Sequence, residues 1–212
     1  PEYEFSGRSS KSAYYILGVD VGRFKCTTEV AVFKVTPQPT GASLKSLVNL
    51  YSYEAEHFED QAINIKKLFY KYKARVVAID ANGVGAGLVD FLVKAQVDPE
   101  TGDELPPFGV EGGTSEDAVE PYKKIKGPGV ESDALYLIKA NAPINTEMYS
   151  YTKVQMMSGK VKLLIDEATA KAKLMDTKVG QNMSTDQRNM HLMPFILTTS
   201  LKNQMLNLVE DN

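Results

Sequence analysis

YYILGVD, residues 14–20, and ARVVAID, residues 74–80, decide the fold. Each is a short apolar run that closes on an aspartate and then breaks into small residues, Val21-Gly22 after Asp20 and Ala81-Asn82-Gly83 after Asp80. Such runs, too short for a typical helix and bounded by turn residues, read as buried central strands. Their acids then stand at the carboxyl-side end of the sheet.

Working outward, EVAVFKV (29–35) is a second strand, Pro37, Pro39 and Gly41 make a turn, and 43–55 contains a third strand. Strands joined by such short turns form an antiparallel meander, because parallel neighbours need a long crossover. The period changes at 58–72, where Phe58, Ala62, Ile65, Phe69 and Tyr72 step by four and three along one helical face. Glu59 and Asp60 suit the positive end of that helix. After 74–80, a second helix carries Val84, Leu88, Phe91, Leu92 and Ala95 on one face, and 97–107 is expected as an exposed loop. FGVEGG (108–113) is a fifth short strand, 114–131 a polar mobile insertion, and 134–140 an apolar stretch. A helix is expected over 143–157, with Pro143 near its first position and Gly159 past its end. KVKLLID (160–166) reads as a strand, and the chain beyond 167 as mostly helical.

The expected fold is α/β: a mixed sheet with strands 1–3 antiparallel, strands 4 and 5 parallel to strand 1 through right-handed crossovers, and helices on both faces. Residues 1–13 read as a linker or arm and 14–212 as the folded domain. The start has neither Met nor an apolar signal core, so the chain is expected to be a piece of something longer or a processed product.

With 43% apolar and 24% charged residues, the 212-residue chain is neither fibrous nor disordered in composition. One cysteine, Cys26, excludes an internal disulfide, and with only His57 and His191 beside it a zinc site is disfavoured. Cys26 reads as a small buried side chain and His57 as a cap or surface residue. No apolar run is long enough to span a membrane. The net charge of −3 (24 basic, 27 acidic) means that nucleic-acid binding would rest on a local patch rather than on bulk charge.

If strands 1 and 4 are neighbours, Asp20 and Asp80 emerge at one edge about 5 Å apart. Two carboxylates that close repel unless a cation compensates. Hard oxygen ligands there suit Mg²⁺ or Mn²⁺. Two such ions about 3.5–4 Å apart activate a water and stabilise the leaving oxygen of a phosphodiester. No Cys/His or Ser/His pair at useful spacing offers a protein nucleophile instead. The competing account of each aspartate is a turn former or N-cap.

YILGVDVGR, the amphipathic helix, VVAIDANGVGAGLVDFL, FGVEGG and IKANAPIN…MMSGKVKLLID together resemble the nuclease domain of the large terminase subunit of tailed bacteriophages, with its RNase H-like, resolvase-like fold. The resemblance runs from about residue 14 through nearly the whole chain. It implies a metal-dependent endonuclease that cuts concatemeric viral double-stranded DNA during packaging, in the host cytoplasm. It further implies an ATPase domain of the same subunit, a small terminase subunit and a portal protein as partners. No P-loop is present, so the ATPase domain is expected to lie outside this sequence.

Carried over by position, Asp20 matches the strand-1 metal ligand and Asp80 the strand-4 acid, and the resemblance implies two bound Mg²⁺ or Mn²⁺ ions. The family takes a third acid from a C-terminal helix. Here the only acids after His191 are Glu210 and Asp211, so the chain is expected to stop short of that motif, with Asp186 as the fallback ligand.

Phosphate contacts are expected from Arg23 and Lys25 beside Asp20, and from Asn82, Gly83 and Gly85 as a backbone nest. Lys123, Lys124 and Lys126 in the insertion are further expected contacts, and Lys139, Lys153, Lys160 and Lys162 form a basic rim. Ordinary solvated turns and faces are the competing account of all of these. Two other functions fit the pattern. GVDVGRFKCTTEVAVF also matches the opening D-x-G turn of actin-like and sugar-kinase ATP-binding folds, although no second such turn follows. A non-catalytic docking module of the packaging motor is the other.

Overall fold

In the computed structural model, which describes residues 12–22, 26–54, 56–123 and 132–206, β1 (Tyr14–Asp20), β2 (Thr27–Thr36) and β3 (Leu44–Glu54) form the antiparallel meander. α1 (Phe58–Tyr72) returns the chain to β4 (Ala74–Asp80), which lies parallel to β1. α2 (Val84–Leu92), a hairpin of β5 (Gln96–Val97) and β6 (Glu104–Leu105), β7 (Phe108–Gly113) and α3 (Glu116–Lys123) follow. Next come β8 (Ser132–Ile138), α4 (Ala142–Met157), β9 (Val161–Lys162), α5 (Glu167–Met175), α6 (Lys178–Asn182) and α7 (Thr185–Leu206). The main sheet has seven strands in the order β7-β8-β4-β1-β2-β3-β9. β4, β7 and β8 all run parallel to β1. An antiparallel meander extended by parallel strands on the β1 side is the RNase H-like arrangement.

Successive strand residues point to opposite faces. Leu17, Val19, Val30, Val32, Val77 and Ile79 are buried on one face with Ala62, Ile65 and Phe69 of α1 and Leu88, Val89 and Leu92 of α2. On the other face, Tyr14, Ile16, Phe33 and Val35 line a cavity of about 1210 Å³ together with residues of α4 and α7. α5 and α7 share a small second cluster of Ala170, Leu174 and Leu192. Helices therefore cover both faces.

Several expectations are corrected. The segment 97–107 is not a plain loop: Gln96 and Val97 pair with Leu105 and Glu104, and Leu105 is wholly buried. An Asx turn closes the hairpin, with Glu100 N donating to Asp98 Oδ1 (3.0 Å), Gly102 N donating to the Asp98 carbonyl (2.8 Å), and Gly102 at φ 75°. Two-residue strands are too short for a period to register. Within 114–131, residues 116–123 are helical. The strand over 160–166 shrinks to Val161–Lys162, because Asp166 instead caps α5 by accepting from Thr169 N (2.9 Å). The apolar stretch at 134–140 supplies β8, which separates β7 from β4. α2 stops before Ala95, and Cys26 is exposed rather than buried. No helix among the described residues is long and apolar enough to cross a membrane.

Candidate functional site

The parallel register pairs Val19 with Ile79, so Asp20 and Asp80, one residue on, end neighbouring strands side by side, about 4.8 Å apart along the sheet. Val19 and Ile79 point into the core, which turns both aspartates to the opposite face. The antiparallel register places Glu29 of β2 directly across from Asp20. Three carboxylates thus stand in a row on one face: Asp80, Asp20, Glu29. Glu29 Oε1 accepts from Ser52 Oγ at 2.7 Å, and Ser52 is its own cross-strand partner on β3. Sequence reasoning missed Glu29. Its acid type was visible, but its place depends on the β1–β2 register, and a slip of one residue would send it to the other face.

The two aspartates differ in what holds them. Asp20 is exposed and takes no side-chain hydrogen bond among the described residues, unlike an aspartate that shapes a turn. Asp80 does shape its turn: its Oδ1 accepts from Asn82 N at 2.9 Å. Asn82 Nδ2 donates to the Ala140 carbonyl (2.9 Å) and Ala81 N to the Ile138 carbonyl (2.8 Å), which ties the end of β4 to the end of β8. Asn82 is therefore a structural tie, and its amide is not left for a phosphate nest. Gly85 N is also engaged, on the Asn82 carbonyl at 2.9 Å. Gly85 lets α2 sit against the end of β4: a Cβ there would lie 1.7 Å from the Asp80 carbonyl oxygen and 3.7 Å from Val21. That close approach sets the start of α2 against the end of β4, with Val21 of the turn after Asp20 alongside.

One step down the strands on the same face, Ala78, Gly18 and Ala31 stand in register beneath the carboxylates. A Cβ added at Gly18 would meet nothing within 4 Å. Among the described residues, nothing packs on the strands directly beneath the acids at Gly18.

Lys139 is exposed and follows Ile138, the β8 partner of Asp80, so it lies at this edge. Lys123 ends α3 and pairs with Glu116 (3.3 Å) and Glu120 (3.5 Å) on its own helix. Asp186 is exposed in the first turn of α7 and is not gathered with the aspartates: among the described residues, no three His, Cys, Asp or Glu side chains are placed to hold one ion. Arg23, Lys25, Lys124 and Lys126 lie outside the described residues.

The strand order and strand directions are those of an RNase H-like fold. Among solved structures, the chain is similar to the large terminase nuclease from thermophilic phage G20c with bound magnesium, at 17% identity over 76% of this chain and 66% of that one, with a TM-score of 0.44. It is similar to the same phage's nuclease with bound zinc, at 14% identity over 90% and 81% of the two chains, with a TM-score of 0.43. The yeast mitochondrial Holliday junction resolvase is a further neighbour, at 12% identity over 90% and 83%, with a TM-score of 0.38. The chain spans just under two thirds of the first of these structures. No protein-family model and no curated protein matches it.

Proposed function

We propose that this chain is a divalent-metal-dependent endonuclease that hydrolyses the backbone of double-stranded DNA, and that it serves viral genome packaging by cutting concatemers. The observation that carries the reading is the placement of Asp20 beside Asp80 at the ends of adjacent parallel strands, on a face that no described residue covers at Gly18. Among the described residues, the Asp20 side chain has no hydrogen bond to explain it.

The donor set fits Mg²⁺ or Mn²⁺. These ions bind through one or two carboxylates and keep waters and phosphate oxygens as their other ligands, so a closed protein cage is not needed. Bound there, such ions supply a more acidic water and neutralise charge on the leaving oxygen. The protein's own part is orientation. Asp80 Oδ1 is fixed by Asn82 N, and Oδ2 is the oxygen it would offer. Asp20 offers both oxygens. Lys139 stands at the same edge, where an ammonium suits a backbone phosphate. A second metal ion and phosphate contacts from Arg23, Lys25, Lys123, Lys124 and Lys126 belong to the same proposal. So do an ATPase domain, a small terminase subunit and a portal protein as partners in the host cytoplasm; these rest on the sequence resemblance.

The ATP-binding alternative would use the Gly22 amide for phosphate, but that amide donates to Thr28 Oγ1 at 2.9 Å. The docking-module alternative is favoured only by the turn bond of Asp80. Calorimetric titration with Mn²⁺ and with ATP, beside plasmid nicking, separates the three. Mn²⁺ binding that is lost in Asp20→Asn, with metal-dependent nicking, is the expected result. ATP binding indifferent to Mn²⁺, or nicking that survives Asp20→Ala, overturns the proposal.

A further inference from the structure

Two wholly buried polar side chains, Thr28 and Gln61, lie just behind Asp20. Thr28 is 0% exposed and Gln61, near the start of α1, 1%. Thr28 Oγ1 accepts from Gly22 N (2.9 Å), and its one proton lies within reach of Gln61 Oε1 (2.8 Å) and the Gly22 carbonyl (3.1 Å). Gln61 Nε2 donates to the Glu56 carbonyl (2.9 Å) and, more weakly, to the Gly22 carbonyl (3.4 Å). Both backbone polar groups of Gly22 are thus met by side chains instead of by a further step of the β1–β2 ladder, which ends at Asp20 and Glu29. The chain is pinched here: a Cβ on Gly22 would lie 2.2 Å from the Thr27 carbonyl oxygen. The network therefore fixes where β1 leaves the sheet, two residues after Asp20, and anchors that point to α1.

We propose that Thr28 and Gln61 are positioning residues that hold Asp20 in register with Asp80 for metal binding. This rests on the nuclease reading above. Buried hydroxyl and amide groups are costly to desolvate, and a fully satisfied network in a low-dielectric core holds one arrangement of the chain. An apolar pair at these two positions would fill the core equally well but leave both backbone groups of Gly22 without partners.

The test compares the wild type with Thr28→Val, Thr28→Ser and Gln61→Met. Folding is followed by circular dichroism, Mn²⁺ affinity by calorimetry, and nicking as kcat and as the Mn²⁺ concentration for half-maximal rate. Thr28→Val keeps the side-chain shape and removes the hydroxyl; Thr28→Ser restores it. The expected result is folded Thr28→Val and Gln61→Met proteins whose Mn²⁺ affinity falls about 10–100-fold, the scale for losing a group that orients a ligand. Thr28→Ser should stay within about threefold of wild type, well inside that range. Folded variants with unchanged Mn²⁺ affinity overturn the positioning role and leave the nuclease reading intact. If Thr28→Val and Gln61→Met both fail to fold while Thr28→Ser folds, the network is a folding element only, and the proposal is rejected. A wild type that neither binds Mn²⁺ nor nicks DNA rejects the nuclease reading, and the positioning role with it.

Discussion

Asp20 and Glu29 face each other across the β1–β2 ladder on the same side of the sheet, with Asp80 on the far side of Asp20. Like charges directly opposite in a sheet are destabilising. Asp20→Asn removes the central charge of the row and relieves both repulsions. The metal-free variant should therefore melt slightly higher than the metal-free wild type. Adding Mn²⁺ should raise the melting temperature of the wild type and leave the variant unmoved. Thermal melts with chelator and with Mn²⁺ read both effects.

For catalysis the sign is opposite. Asp20→Ala and Asp80→Ala should each reduce plasmid nicking by about two orders of magnitude or more, the scale for removing one preorganised electrostatic group. Chelator should abolish wild-type nicking, Mg²⁺ or Mn²⁺ should restore it, and Ca²⁺ alone should not, since Ca²⁺ tolerates looser geometry. Cleavage should show little sequence preference, because phosphate contacts carry no base information. A discrete band pattern on random DNA would contradict that.

Gly85 and Gly87 are two residues apart on α2, yet they should respond differently to alanine. The Gly85 Cβ would strike the Asp80 carbonyl oxygen at 1.7 Å, and backbone cannot move aside without shifting the strand end. The Gly87 Cβ would meet a ring carbon of Phe58 at 2.6 Å, on a side chain that can turn. Gly85→Ala should cost about 3 kcal/mol or more, the upper end for overpacking, and should weaken Mn²⁺ binding. Gly87→Ala should cost about 1 kcal/mol and leave Mn²⁺ binding unchanged. Urea denaturation and calorimetry separate the two outcomes.

Lys66 is fully buried on α1. Its ammonium donates to the Lys94 carbonyl, lies 5.4 Å from the centroid of the Phe108 ring, and has no carboxylate in ion-pair range among the described residues. Burial pushes its pKa down to about 7 from 10.5. Below pH 7 both folded and unfolded chains carry the proton, and the folded state bears the full cost of a buried charge. Between pH 7 and 10.5 only the unfolded chain binds the proton, so this group's penalty shrinks as pH rises. Lys66→Met should therefore raise the urea midpoint at pH 6 by the equivalent of ~3–5 kcal/mol, taking about 1.4 kcal/mol per pKa unit. The difference from wild type should narrow steadily toward pH 9.5. A gap that stays constant with pH would contradict the burial account.

The sequence by itself determined the strands that end in Asp20 and Asp80 and the face of α1. These follow from local rules: apolar runs of strand length, a period of 3.6, and glycine after an acid. Tertiary structure alone decided which groups stand beside those acids. Glu29 reached the row through a strand register, and β8 slid between β4 and β7. The β5–β6 hairpin formed around a buried leucine and one Asx turn. Thr28 and Gln61, 33 residues apart, closed their network around Gly22. The physical reason is the same throughout. Periodicity reports which way a side chain points relative to its own element, whereas a site is made by the register and contact between elements distant in the chain, and no local pattern encodes these.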